Sequence, residues 1–209
     1  MLKFFNKLNR KSQEIINETQ VDENLDIFNE QDLRKQMAWR YLSGNGIEIG
    51  ALHSPLVTPP YAQVCYVDRM NLADLRKAYP ELADYKLVDV DIIDDGETLL
   101  SIDNNSVDFV IANHMIEHCQ NPIGTIEQHL RVLKLGGILY MAVPDKRYTF
   151  DCNRDVTSLE HLIRDYTEGS EWSKLFHFQE WTRLVDNYPE EEVAERVQLL
   201  MDINYSIHF

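Results

Sequence analysis

The chain has 209 residues, 44% of them hydrophobic and 26% charged, a composition that excludes a wholly disordered chain and suits one core-bearing domain with appendages. Its 35 acidic residues outweigh 20 basic ones for a net charge of -15 at pH 7, and such a surface repels phosphate backbones, so nucleic acid is excluded as a general ligand. No apolar run approaches the ~20 residues that span a bilayer, and the widely spaced Cys65, Cys119 and Cys152 form neither a disulfide framework nor a thiolate zinc motif, so a reduced, cytoplasmic protein is expected.

In chain order, the opening MLKFFNKLNRK sets Leu2, Phe4, Phe5 and Leu8 among Lys3, Lys7, Arg10 and Lys11, without the apolar core or cleavage site of a signal peptide. A helix docking on the domain, or a frayed end, is expected ahead of a membrane-surface helix. Residues 1–43 are polar and helix-prone, and Ser43-Gly44-Asn45-Gly46 reads as the turn that closes this N-terminal helical segment.

Beyond it, short apolar runs alternate with helical patterns. Strands are predicted at 47–50, 63–68, 86–91, 107–112 and 137–143. Between the second and third lies NLADLRKAYP, capped at Asn71 and stopped at Pro80. Between the fourth and fifth lies PIGTIEQHLRVLK, with Ile123, Ile126, Leu130 and Leu133 on one face. This alternation implies right-handed βαβ units, hence an α/β, Rossmann-like doubly wound parallel sheet.

After Pro144 the alternation stops. Thr157-Ser158-Leu159-Glu160 has a capping-box pattern, and Glu190, Glu191 and Glu192 sit where a helix dipole favours acids. The expected organisation is an N-terminal helical segment at 1–43, a cofactor-binding core at 44–145 and a helical, aromatic, substrate-side region at 146–209.

Ligands of open parallel sheets bind beyond the carboxyl ends of the strands. There the sequence puts Gly50 after the first strand and Asp68 at the end of the second, about 20 residues past Glu48, the separation at which an acid takes ribose hydroxyls. The alternative for these two is a tight turn and a helix cap. The third strand offers Asp89 and Asp91, followed by Asp94, Asp95 and Glu97 in a loop read as solvated. The fourth runs out through Asn113 and His114 into His114-Met115-Ile116-Glu117-His118, a match to the inverted zinc-peptidase pattern His-x-x-Glu-His. That pattern needs a long helix to carry its two histidines, whereas here it follows a strand and is punctuated by Asn121-Pro122. No metal ligand is therefore assigned.

Together these pieces resemble the class I S-adenosylmethionine-dependent methyltransferases, in the branch with Leu-Glu-His after the fourth strand and Arg-Val-Leu-Lys-Pro-Gly-Gly before the fifth. This chain has Ile116-Glu117-His118 and Arg131 to Gly137 (RVLKLGG), with the family's order kept at residues 48–50, 67–68, 91–92, 106–110 and 143–145. The resemblance covers 46–145 and implies S-adenosyl-L-methionine as cofactor. It would be held at the methionine end by Glu48 and the turn Gly50-Ala51, at the ribose by Asp68, at the adenine by Asp91 with the Ile92 backbone, and near the sulfonium by Asn113 and His114. The family has no universal catalytic residue, and none is assigned.

Leu52 and Ser54 stand where two more glycines are usual, and Leu135 where a proline is. The aromatic residues Tyr148, Phe150, Trp172, Phe176, Phe178 and Trp181 follow the fifth strand, where the family places substrate-covering insertions. A small-molecule or saccharide acceptor is the expectation, with aromatic packing under a flap as the alternative. The family's last two strands are expected to be absent, which leaves the fifth strand as an edge that an oligomer could use. Two other readings stay open: a catalytically weakened cofactor-binding or scaffolding protein, and a zinc hydrolase using His114, Glu117 and His118.

Overall fold

The computed structural model describes residues 30–203 and 205–209; the basic opening stretch lies outside them. Helix α1 (Glu30–Tyr41) leads into strands β1 (Gly44–Ile49), β2 (Ala62–Asp68), β3 (Ile92–Ile93), β4 (Val107–Asn113) and β5 (Leu133–Ala142). All pair in parallel, in the order β3-β2-β1-β4-β5. This is the expected doubly wound sheet, with the order reversing between β1 and β4.

Both faces of the sheet are covered. Ile47, Ile49, Val67, Val110 and Ala112 of the strands form one core with Leu99, Val132 and Leu133. On the other face Ala38 and Leu42, in and just after α1, pack against Phe109 and Ile111. Near-continuous burial along β1 and β4 is what a two-sided parallel sheet requires.

The remaining helices are α2 (Leu72–Ala78), α3 (Pro122–Val132), α4 (Leu159–Glu168), α5 (Glu171–Leu184) and α6 (Glu190–Asp202). Asn71 caps α2 by accepting from the Asp74 amide, as the sequence predicted. Helix α4 departs by one residue: its cap is Ser158, which accepts from the His161 amide, rather than Thr157. Helices α5 and α6 share a separate core of Phe178, Trp181, Val185, Val193, Val197 and Leu200, which the chain's closing residues join through Ile207.

Four expectations are corrected. The glycines read as a turn before β1 are part of it, since Gly44 and Gly46 pair with Ala62 and Val64 of β2, and the Phe109 ring fills the place where a Gly46 side chain would stand, 2.2 Å from an added Cβ. The third strand is not at 86–91 but is only Ile92–Ile93. Ahead of it the Asp91 carboxylate accepts from the Tyr66 amide at 2.8 Å, while the Val88 amide turns to the Leu52 carbonyl.

The buried face of α3 is Thr125, His129 and Val132, whereas Ile126 and Leu130 face outward. Polar partners set this rotation. His129 Nε2 meets the Gly96 carbonyl at 2.8 Å, and the Glu97 carboxylate accepts from the Gln120 and Asn121 amides and from Thr125 Oγ1. Glu97 thus anchors the turn that enters α3, whose cap is Asn121, rather than lying in solvent, and burial raises its pKa. No helix among the described residues is long and apolar enough to cross a membrane.

Candidate functional site

The carboxyl ends of β1, β2 and β4 meet at the point where the strand order reverses. After β1 the chain turns at Gly50, with φ 65° and open space where a side chain would project, and the Gly50 amide donates to the Val67 carbonyl at 2.9 Å. Such a turn lets a ligand approach backbone closely. Leu52 follows in the left-handed region, φ 49°, where a side chain is strained by roughly 1–2 kcal/mol. Its carbonyl accepts from the Val88 amide at 2.8 Å, which holds that conformation.

Glu48 is 2% exposed, and its two carboxylate oxygens accept from the Leu56 amide at 2.9 and 3.1 Å. Burial pushes its pKa up to about 7, only partly offset by the Leu56 bond. The carboxylate thereby closes the loop that runs from Gly50 through Ala51 to Leu56.

At the end of β2 the Asp68 Oδ1 accepts from the Arg69 amide at 2.7 Å. Burial raises its pKa against the pull of the Arg69 amide and guanidinium. Asp91 was read as the end of the third strand, but its Oδ2 is committed to Tyr66. The residues at the true strand end are Asp94 and Asp95. Asp94 Oδ2 accepts from the Ser101 amide and hydroxyl, and Asp95 Oδ1 from the Glu97 amide. Ile92 lies within β3, one residue short of that end.

Asn113 ends β4 with its side-chain Oδ1 buried and unpartnered, a state that invites a donor. His114 adopts φ 50°, with its amide on the Ala142 carbonyl. Arg34 of α1 donates to its Nε2 at 2.6 Å. A guanidinium only donates, so the His114 proton is on Nδ1, which lies 3.5 Å from Glu117 Oε1. Residues Ile116–His118 form a 3-10 turn, so His114 and His118 do not share the α-helical face that the zinc-peptidase pattern requires.

Beneath this rim lies a polar cluster that no motif announced. Arg154, 7% exposed, donates to Asp151 Oδ1 at 3.0 Å, to the His208 carbonyl at 2.8 Å and to Glu180 at 2.8 Å. Asp151 Oδ2 in turn pairs with His208 Nδ1. Burial works to raise the Asp151 pKa, but the His208 and Arg154 bonds prevail and lower it. The Phe209 amide donates to the Glu117 carbonyl at 2.8 Å, fastening the closing residues to the turn after β4. His177 Nε2 lies 3.0 Å from His161 Nε2, and burial, then His161, lowers its pKa to about 4. Arg34, Asp151 and His208 were absent from the sequence reading. Only the i,i+3 spacing of Asp151 and Arg154 hinted at them.

Of the aromatic residues after β5, Phe178 and Trp181 are core, with Phe150 packed against them, whereas Tyr148, Trp172 and Phe176 are exposed. The cofactor-side residues Gly50, Ala51, Asp68, Asn113 and His114 are gathered at the ends of three neighbouring strands; Asp91 is turned toward the β2 edge.

A five-stranded 3-2-1-4-5 sheet with a glycine turn after β1, an acid ending β2 and an open polar rim after β4 has the strand order and switch point of a doubly wound nucleotide-binding fold, as the sequence resemblance implied. Residues 43–141 match the family model described as a methyltransferase domain. Among solved structures the chain is similar to the YcgJ protein from Bacillus subtilis, with 20% identity over 53% of this chain and 48% of that one, at a TM-score of 0.40. It is also similar to an S-adenosylmethionine-dependent methyltransferase from Aquifex aeolicus, with 14% identity over 67% and 79%, at a TM-score of 0.41. The chain thus spans about half the length of YcgJ. No curated protein matches it.

The residues present fit the cofactor. Open space at Gly50 and the orphaned Asn113 oxygen face the end of the sheet where a nucleoside and its methionine arm bind in this fold.

Proposed function

We propose that the chain transfers a methyl group from S-adenosylmethionine to a small-molecule or saccharide acceptor. The observation that carries this reading is that the matched segment, 43–141, contains the strand ends that gather Gly50, Asp68 and Asn113. In this reading the Gly50-Ala51 backbone lies along the methionine arm, with Glu48 shaping the turn from behind. Asp68 accepts from the ribose hydroxyls, and Asn113 with His114 floors the sulfonium. The loop after Ile93, with Asp95, takes the adenine edge in place of Asp91 and Ile92.

The cofactor supplies its own leaving group for an in-line displacement. The chain's part is alignment, which can be worth ~7–11 kcal/mol. Residues 44–145 act as the cofactor-binding unit and 146–209 as the acceptor side, where the exposed rings of Tyr148, Trp172 and Phe176 offer flat apolar surface.

Calorimetry with S-adenosylmethionine and S-adenosylhomocysteine tests the binding half. Saturable heat is expected for the wild type, and Asp68→Ala weakens it by about tenfold or more through loss of a charge-assisted pair of hydrogen bonds. No heat and no melting shift at millimolar cofactor would refute it. A radiolabelled transfer screen tests the other half. The strained Leu52 turn favours a second reading, a cofactor-binding protein with weakened transfer, which binds in the first assay and stays silent in the second.

A further inference from the structure

The polar cluster under the β4 exit contains a ligand set distinct from the His-x-x-Glu-His reading. We propose that Glu117, His118 and His208 together bind one divalent transition-metal ion of the zinc type, joining the closing residues of the chain to the turn after β4. One ligand atom from each residue lies within 4.8 Å of the other two, a spread that a cation bound at ~2.0–2.2 Å to each would close.

The hydrogen bonds prepare each ligand. His118 Nδ1 lies 3.0 Å from the Ile207 carbonyl, with Ser206 Oγ also at 3.0 Å. A carbonyl only accepts, so Nδ1 carries the proton and Nε2 is left with its lone pair. His208 Nδ1 pairs with the Asp151 carboxylate, which fixes the same tautomer there. A second nitrogen held by a carbonyl or a carboxylate is the support that metal-ligating imidazoles recurrently have.

Glu117 completes the set. Its Oε1 faces the His114 Nδ1–H, while its Oε2 is buried with no hydrogen-bond partner. A buried, half-satisfied carboxylate is costly, and a cation between it and two imidazoles removes that cost. Two nitrogens and one carboxylate oxygen suit zinc, cobalt or nickel rather than magnesium or calcium. Three protein ligands leave a tetrahedral ion one position for water or an acceptor oxygen. His114 is not a ligand, since its Nε2 is taken by Arg34.

The test needs no cofactor, so it stands or falls separately from the proposed transfer. The 209-residue chain, stripped with a chelator, is titrated with zinc chloride by calorimetry and with cobalt(II) by visible absorption. About one ion per chain is expected, with a tetrahedral cobalt d–d band and a raised melting temperature. Glu117→Gln, which keeps shape and removes charge, and His208→Ala each weaken binding by at least ~10-fold, whereas exposed His53→Ala leaves it unchanged. Circular dichroism before metal addition identifies any variant that fails to fold, and Glu117→Gln then carries the comparison. Failure to bind zinc and cobalt at micromolar levels overturns the assignment, and so does equal affinity in wild type, Glu117→Gln and His208→Ala.

Discussion

Glu48 reaches across the turn that follows β1 and takes the Leu56 amide with both carboxylate oxygens. Its folded-state pKa is raised from 4.5 to about 7, first by burial. The native state therefore binds this proton more tightly than the unfolded chain does. The resulting stabilisation is complete below about pH 4.5 and is lost as pH rises through 7, at most about 3 kcal/mol. Denaturant melts of wild type and Glu48→Gln between pH 5 and 8 check this. The wild type should lose stability toward pH 8 relative to the variant; parallel profiles would refute it.

Leu52 at φ 49° occupies a position that glycine adopts without strain. Leu52→Gly should relieve ~1–2 kcal/mol of backbone strain while losing part of a half-buried side chain and raising unfolded-state entropy, so the melting temperature should change little. Cofactor affinity should rise, because the backbone after Gly50 is freed to approach a ligand. Calorimetry on the variant reads it, and an unchanged dissociation constant would place the side chain away from the cofactor.

Gly46 and Phe109 are complementary across β1 and β4, since a Cβ at 46 would stand 2.2 to 2.4 Å from three ring carbons. Gly46→Ala should destabilise by ~1–3 kcal/mol through overpacking. Phe109→Leu is destabilising by itself, yet the double variant should be more stable than the sum of the two losses predicts, because the smaller side chain admits the methyl. A double-mutant cycle with zero coupling would contradict that arrangement.

β1 and β4, buried on both faces, were legible because their apolar runs are continuous and bounded by turn residues, and β2 because its apolar positions recur between Gln63 and Asp68. β3 was not. Its predicted span, 86–91, has a strand-like alternation, but the Tyr66 amide donates to the Asp91 carboxylate and the Val88 amide to Leu52, so the ladder is interrupted around the Asp91 amide–Tyr66 carbonyl bond, and periodicity carries no trace of such partners. The face of α3 was misread for a related reason. Ile126 and Leu130 have the right spacing for a core, but the helix is turned by His129 and Thr125, whose partners Gly96 and Glu97 lie about thirty positions earlier. At the rim, Asp68 and Asn113 could be placed because strand ends fix them. The cluster of Asp151, Arg154 and His208 could not, because its members come together only when the closing residues fold back under the β4 turn.

The Asp91 carboxylate on the Tyr66 amide also gives the sheet a polarity of growth. It occupies the Tyr66 amide on the outer side of β2, where β3 is too short to do so, while among the described residues β5 pairs with β4 alone. A strand added to this sheet, whether from the same chain or another, finds its longest row of backbone partners beside β5, a strand of 10 residues against the 2 of β3.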